Sequence, residues 1–333
     1  MDIAARAKRF ILVISLVSLC LVFSLMISDS FSYESVTGGV RTVRTAFLLS
    51  VGQRSKFVIS GSNGFVSESD LIVHYVRYYD SLYPNKDTDS LKLLDCLGIY
   101  SVILNLKPTV IYVHTNVPSF WPFDRCESLM NVTIRWPAVE FIYAARKFVA
   151  SGKRIGWIQH EADIRKMIVI EEYGGLTLDF DVYIVNGTEV RRLLAENPCI
   201  VCHEGAVINA GFFGCREPHA RFPQLVLKKS YLRNYDPKCW TCNSGAIPMK
   251  ILKQNTATAM LVDNVCNAPI WDQRADFNDG RGVFGWKEKP AYHSFFHNST
   301  FSLKDAMKLD SRLGDVFRWI LKGGPPGLLG AIN

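Results

Sequence analysis

The stretch Tyr173-Gly-Gly-Leu-Thr-Leu-Asp-Phe-Asp-Val-Tyr-Ile-Val185 decides how the rest of this chain is read. Leu176, Leu178, Phe180, Val182 and Ile184 alternate with Thr177, Asp179, Asp181 and Tyr183. A period of two belongs to a β-strand with one buried face, and it predicts one strand from Leu176 to Val185. Asp179 and Asp181 then leave the same face with Cα atoms roughly 7 Å apart. Like charges that close call for a cation between them or for the neutralisation of one. A divalent metal supplies that cation, and it needs few protein ligands when substrate phosphates complete its shell. The plain alternative is an exposed strand face with two solvated acids.

Upstream, Ile164, Met167 and Ile168 recur at helical spacing, which predicts a helix from Asp163 to Tyr173. His160-Glu161-Ala162-Asp163 marks its start, and Gly174-Gly175 ends it and turns the chain into the acidic strand. Asp163 and Lys166 share a face at i, i+3; on its own that spacing reads as a surface ion pair.

Read together, HEADIRKMIVIEEYGGLTLDFDVYIV (160–185) resembles the glycosyltransferases with a DXD-containing sugar-binding region, family 32. Their pattern is His-x-Ser/Ala-Asp-x-x-Arg, a helix, then Tyr-Gly-Gly-Ile-Tyr-Leu-Asp-x-Asp. The resemblance runs outward through LIVHYVRYYD (71–80), LKPTVIYVHTNVP (106–118), VINAGFFGCREPHARF (207–222), WTCNSGAIPMKIL (240–252) and AYHSFFHNST (291–300). It implies an α/β catalytic domain of GT-A type, Rossmann-like with a mainly parallel sheet. The implied activity is metal-dependent transfer of a sugar from a nucleotide-sugar donor, a UDP-sugar, to a glycan or glycolipid acceptor, with retention. Mn²⁺ or Mg²⁺ is the implied metal.

Residue by residue, the resemblance puts Asp179 at the nucleotide ribose or a metal-bound water and Asp181 on the metal. His293 completes the metal shell. Asp163 meets donor sugar hydroxyls, Arg165 or Lys166 meets diphosphate or sugar, and Gly174 and Gly175 belong to the same donor-binding block. Asn209 lies near the donor sugar. Against these stand plainer readings: a turn-forming Asn209 beside Gly211 and a structural His293. Trp240 and Trp286 are expected to pack in the core rather than stack on an acceptor sugar. Two departures matter: Thr177 replaces an aromatic, and Lys166 replaces Arg and so lacks the planar two-toothed fork. They sustain a second reading, a catalytically silent lumenal domain that binds sugar nucleotide or glycan. A third is a disulfide-rich receptor or adhesion domain in which the acid pair is incidental.

The 333 residues suit one catalytic domain with accessories. Phe10 to Ile27 is an apolar run preceded by Arg6, Lys8 and Arg9, which reads as an uncleaved signal anchor with a cytoplasmic tail at 1–9; a cleaved signal peptide is the rival, for which the run is rather long. A stem at 28–69, a catalytic domain at 70–300 and a terminal helix and tail at 301–333 follow. The expected location is the Golgi membrane, single-pass type II, with the domain lumenal. Sequons at Asn131, Asn186 and Asn298 agree with that side of the membrane. The net charge of +7 is diffuse, with no dense basic run, and is not a nucleic-acid footprint. Beyond Cys20 in the apolar run, the cysteines at 96, 126, 199, 202, 215, 239, 242 and 266 read as up to four disulfides. Zinc at the two Cys-x-x-Cys pairs, or redox chemistry at Cys239-Trp-Thr-Cys242, are the rivals.

Leu71–Tyr75, Val110–His114 and Ile155–Ile158 read as short strands, and Leu91–Leu106 as a helix between the first two. That order predicts a mainly parallel sheet with its ligand beyond the strand carboxyl ends. A capped helix from Ser302, continuing through Ile320 to Gly323, is expected to serve packing.

Overall fold

A computed structural model of the chain describes residues 70–117, 122–262 and 286–324. The expected anchor and stem, and Cys266, lie outside the described residues. Among the described residues no helix is long and apolar enough to cross a membrane.

The strands are β1 (Ile72–Arg77), β2 (Val110–Thr115), β3 (Ala138–Tyr143), β4 (Val149–Ala150), β5 (Lys153–Arg154), β6 (Gly175–Leu178), β7 (Val182–Ile184), β8 (Cys199–Glu204), β9 (Val207–Cys215), β10 (Met260–Val262) and β11 (Ala291–His293). The α-helices are α1 (Lys86–Asp89), α2 (Leu93–Ser101), α3 (Cys126–Met130), α4 (Ile158–Tyr173), α5 (Gly187–Glu196), α6 (Arg221–Val226), α7 (Ile247–Gln254), α8 (Leu303–Lys308) and α9 (Arg312–Leu321). Seven strands form one mixed, mainly parallel sheet in the order β10-β8-β9-β6-β1-β2-β3. β3, β2, β1 and β6 run parallel; β9 is antiparallel to both β6 and β8.

The chain steps from β1 to β2 to β3 and then returns through α4 to the other side of β1, as β6. The sheet order therefore reverses between β1 and β6, and in open α/β sheets the ligand crevice opens at that point. Val73, Tyr75, Leu176 and Leu178 join α2 and the terminal helices in one core; Val201 and Phe213 join α4, α6 and α7 in the other. Burial on both faces suits parallel strands covered by helices on either side.

Four expectations need correction. The alternation from Leu176 does not make one strand, because β6 stops at Leu178 and β7 leaves for a separate two-stranded sheet with β11. Thr177 mimicked an exposed position, yet it is buried and its hydroxyl donates to the Phe213 carbonyl at 3.2 Å. The α4 helix begins at Ile158, so His160 to Asp163 lie within it. The third parallel strand is Ala138–Tyr143; Ile155 follows the β4–β5 hairpin instead, and Ile158 opens α4. The terminal helix is two helices: Ser311 caps α9 by accepting from Gly314 N at 3.2 Å, while Arg318 donates to the Leu309 carbonyl at 2.7 Å. Both belong to the domain core through Ala306, Leu313, Val316, Phe317 and Ile320.

Disulfides join Cys96 to Cys126, Cys199 to Cys215 and Cys239 to Cys242, and Cys202 is disulfide-bonded as well. Both Cys-x-x-Cys pairs are thus oxidised, which leaves them no thiolate to offer zinc. The first bridge spans 30 residues between α2 and α3, and closing a loop of that length contributes about 3–4 kcal/mol in chain-entropy terms.

Candidate donor and metal site

Gly174 and Gly175 carry φ of 67° and 85°, the left-handed region that the turn from α4 into β6 requires. After Leu178 the ladder ends. Asp179 N still donates to the Gly211 carbonyl at 2.9 Å, and Val182 N donates to the Asp179 carbonyl at 3.2 Å, closing a tight turn. Asp179 and Asp181 therefore sit on a turn at the carboxyl end of β6. Phe180 between them stacks on Tyr75 at 4.7 Å, which anchors the turn to the core.

β7 and β11 pair antiparallel, with His293 opposite Val182. Ser294 N donates to the Asp181 carbonyl at 3.1 Å, so the backbone around His293 is tied to the turn. His293 Nε2 lies 3.3 Å from Asp181 Oδ2, and His297 Nε2 lies 3.4 Å from the same oxygen. Burial alone would raise the Asp181 carboxyl, but the two imidazoles outweigh it and hold it at about 2. Donor atoms of Asp179, Asp181 and His293 all fall within 4.8 Å of one another.

Lys166 projects from α4 into the same place. Its ammonium is 2.5 Å from Asp179 Oδ1 and 3.0 Å from Asp163 Oδ1, with the side chain 5% exposed. Burial opposes this charge, yet the two carboxylates hold its pKa above the ordinary value. The Asp163–Lys166 pair is thus part-buried, with its ammonium fully enclosed, and is shared with the acid turn.

Asn209 shapes the wall opposite. In the β8–β9 ladder Val201 pairs with Phe213 but Cys202 with Asn209, so β9 bulges at Ala210 to Phe212. Asn209 Oδ1 accepts from Gly211 N at 2.7 Å, and its Nδ2 donates to Glu204 at 3.2 Å. A Cβ on Gly211 would lie 2.7 Å from Asn209 Oδ1, 2.8 Å from His293 Cε1 and 2.9 Å from Asp179 Oδ2. The missing side chain keeps these three groups converging. Two carboxylates and an imidazole suit a Mn²⁺- or Mg²⁺-class cation, and the residues present fit such an ion.

Three of the expected donor-site residues lie elsewhere. Gly174 and Gly175 are at the amino end of β6, about 13 Å along the strand from Asp179 for Gly175, and they make the turn there. Arg165 points away from the acids and donates to His114 Nδ1 at 3.1 Å. His114 Nε2 lies 3.0 Å from His74 Nδ1, and His74 Nε2 lies 2.9 Å from the Gly174 carbonyl. The carbonyl and the guanidinium at the two ends fix both tautomers: His74 donates from Nε2, His114 from Nε2. Burial, with Arg165 adding to it, lowers His74 to about 4 and His114 to about 2, so both rings are neutral.

Sequence reading missed His297, although two histidines four apart in His293-Ser-Phe-Phe-His297 were a visible signal. It also missed Arg77, which ends β1 beside the switch point and lies over the Phe180 ring at 5.5 Å. Trp286 is buried against Trp319 at 5.6 Å, as expected of a core residue. Trp240 is not: it is 50% exposed.

No family model matches this chain. Among curated proteins it is 28% identical over 115 residues to glucan organizing enzyme 1 of Cryptococcus neoformans var. grubii; the match covers 34% of this chain and 28% of that protein. Among solved structures it is similar to the glycosyltransferase GlyE of Streptococcus pneumoniae TIGR4, with a TM-score of 0.40 and 13% identity, covering 76% of this chain and 60% of that one. It is also similar to the galactosyltransferase LgtC in complex with donor and acceptor sugar analogues, with a TM-score of 0.43 and 11% identity, covering 79% of this chain and 100% of that one.

Proposed function

We propose that this chain is a metal-dependent glycosyltransferase that moves a sugar from a nucleotide-sugar donor, a UDP-sugar, to a glycan or glycolipid acceptor, with retention. One observation carries the reading: Asp179, Asp181 and His293 converge within 4.8 Å at the carboxyl end of β6, beside the point where the sheet order reverses. The resemblance of residues 160–185 to DXD glycosyltransferases supports it, and so does similarity to a protein named for organising glucan.

When bound, a divalent cation neutralises the diphosphate leaving group. The chain's own residues prepare that site. His293 and His297 keep Asp181 ionised, and the Gly211 carbonyl fixes the backbone of Asp179, whose carboxylate would help hold the ion or the donor ribose. Asp163, held by Lys166, presents its second oxygen to donor hydroxyls. Thr177 is buried, with its hydroxyl bonded within the sheet, so it offers the donor no polar group. We place the domain in the Golgi lumen behind a type II anchor at 10–27; the exposed Asn131 and Asn298 suit that side. Asn186 instead caps α5, accepting from Glu189 N at 3.0 Å.

A donor screen of the purified chain with Mn²⁺, scored by released nucleotide, tests the reading beside Asp181→Asn. Turnover in the wild type that Asp181→Asn abolishes supports it; equal release by both sinks it. One observation favours the silent-binder reading: Lys166 occupies Asp179 Oδ1 at 2.5 Å, where a metal or ribose would also seek an oxygen. Metal-dependent UDP binding without turnover of any donor would establish that second reading.

A further inference from the structure

Trp240 is a large apolar side chain left half in solvent in a segment that is otherwise firmly held. Its carbonyl accepts from His160 Nε2 at 3.1 Å, and His160 Nδ1 meets the Tyr235 hydroxyl at 2.7 Å, with His160 and Tyr235 both buried. Cys239 and Cys242 close a disulfide across it. The Trp157 ring stands edge-on to Trp240 at 5.5 Å and to His160 at 4.8 Å. Two indoles are thus fixed at a right angle over a buried polar base. Their chain neighbours Gln159, Lys238 and Thr241 are exposed, so polar groups flank the apolar faces.

We propose that Trp157 and Trp240 form a saccharide-binding platform that receives the acceptor glycan. This rests on the glycosyltransferase reading of the acid turn. A pyranose ring has the matching division of surface, with C–H faces that stack on an indole and a rim of hydroxyls that seek polar neighbours. An apolar peptide would leave those flanking polar groups buried and unsatisfied. Continuity with the donor site selects the acceptor among saccharides. His160 and Asp163 are one turn apart on α4, and Trp157 precedes Asp163 by about 9 Å along the helix axis. The segment that carries Trp240 runs on to Gly245, which packs against Val207 and Ile208 at the start of β9, the strand of Asn209. A short oligosaccharide laid on the platform is long enough to run from Trp157 to Asp163.

The test is saturation-transfer NMR on the purified full-length chain with four probes: methyl β-lactoside, chitotriose, mannotriose and laminaritriose. At least one should bind saturably, Trp240→Ala should weaken it about tenfold or more, and Trp240→Phe should weaken it less. The thermal shift given by UDP with Mn²⁺ should be unchanged in Trp240→Ala. No saturable contact with any probe in the wild type overturns the proposal, as does affinity within about twofold in a folded Trp240→Ala. A wild-type dimer that Trp240→Ala converts to monomer also overturns it, because a second copy then covers the platform. Asp181→Asn keeps the two readings apart: it should remove the UDP–Mn²⁺ shift and leave the sugar titration intact. Sugar binding without any UDP–Mn²⁺ shift in the wild type would sink the donor-site reading while leaving a saccharide platform that is not an acceptor site, which overturns the acceptor assignment.

Discussion

Arg165 and Lys166 are neighbours on α4, yet the helix sends them into opposite chemistries. Lys166 reaches two carboxylates of the acid site, whereas Arg165 donates to His114, the near member of a histidine pair, and otherwise lies only 4.0 Å from the half-exposed Glu172. The first cation stabilises charge that a buried site would otherwise reject. The second sits beside bases, and there its charge helps keep them unprotonated. One helix face therefore builds an ionic site, and the adjoining face a neutral relay that ties α4 to β1 and β2. A basic residue's role thus follows from what the fold puts opposite it, and the two halves should fail under different conditions.

The largest expected effect belongs to the neutral half. His74 and His114 have folded-state pKa values of about 4 and about 2, below the ordinary 6.5. Between 6.5 and about 4 the unfolded chain binds more protons than the folded one, so stability is full above pH 6.5 and is lost as pH falls. For His74 alone the loss reaches about 3 kcal/mol near pH 4, of which about 2 kcal/mol falls above pH 5. Urea unfolding from pH 7.5 to 5 should show a steep decline before carboxylates begin to titrate. A flat profile in that window would mean the pair is not buried and neutral.

The ionic half is tested by Lys166→Met. It leaves Asp163 and Asp179 facing each other without their cation and should cost about 3 kcal/mol, toward the low end for a broken buried pair because Asp179 is 37% exposed. Arg165→Met leaves an imidazole nitrogen without its donor and removes a long, half-exposed pair with Glu172 that contributes little, and it should cost about 1–2 kcal/mol. Chemical denaturation at pH 7.5 ranks the two. Equal costs would erase the distinction between the faces.

The contrast also marks how far the sequence could be read. β1, β2 and the diglycine turn are local patterns, and each lies where its residues place it; the acid pair stays together but on a turn rather than on a strand face. His293 and Asn209 were reachable only through resemblance to known motifs, since the β7–β11 pairing and the β9 bulge that deliver them depend on distant segments. The break after Leu178 was hidden because a doubly buried strand with one bonded threonine imitates an amphipathic one. β3 was overlooked for the opposite reason: as an edge strand it exposes Phe141 and Tyr143 and carries Glu140, so it lacks the apolar run of its neighbours. Nothing local in Arg165-Lys166 says which of the two meets the acid turn.

A smaller change sharpens the ionic half without touching its charges. Gly211→Ala places a methyl group against Asn209, His293 and Asp179, all contacts with side-chain atoms that can shift. The fold should lose about 1 kcal/mol, while calorimetric titration should show Mn²⁺ binding largely lost. Retained binding would mean that the three groups need not converge on one ion.

The smallest expected change in stability comes from His297→Ala, and it asks how many groups the ionic half needs. His297 and His293 lie almost equally far from Asp181 Oδ2, but the His297 side chain is 79% exposed on a loop whereas that of His293 is 4% exposed on β11. An exposed partner of that kind contributes little, so His297→Ala should alter stability by less than about 0.5 kcal/mol. Its effect on Mn²⁺ affinity should be well below that of His293→Ala, because the β7–β11 ladder pre-positions only the His293 ring. Mn²⁺ titration of both variants gives the ranking. Equal losses would make His297 a fourth ligand, drawn in from its loop, and the His-x-x-x-His spacing would then be as informative as the acid pair itself.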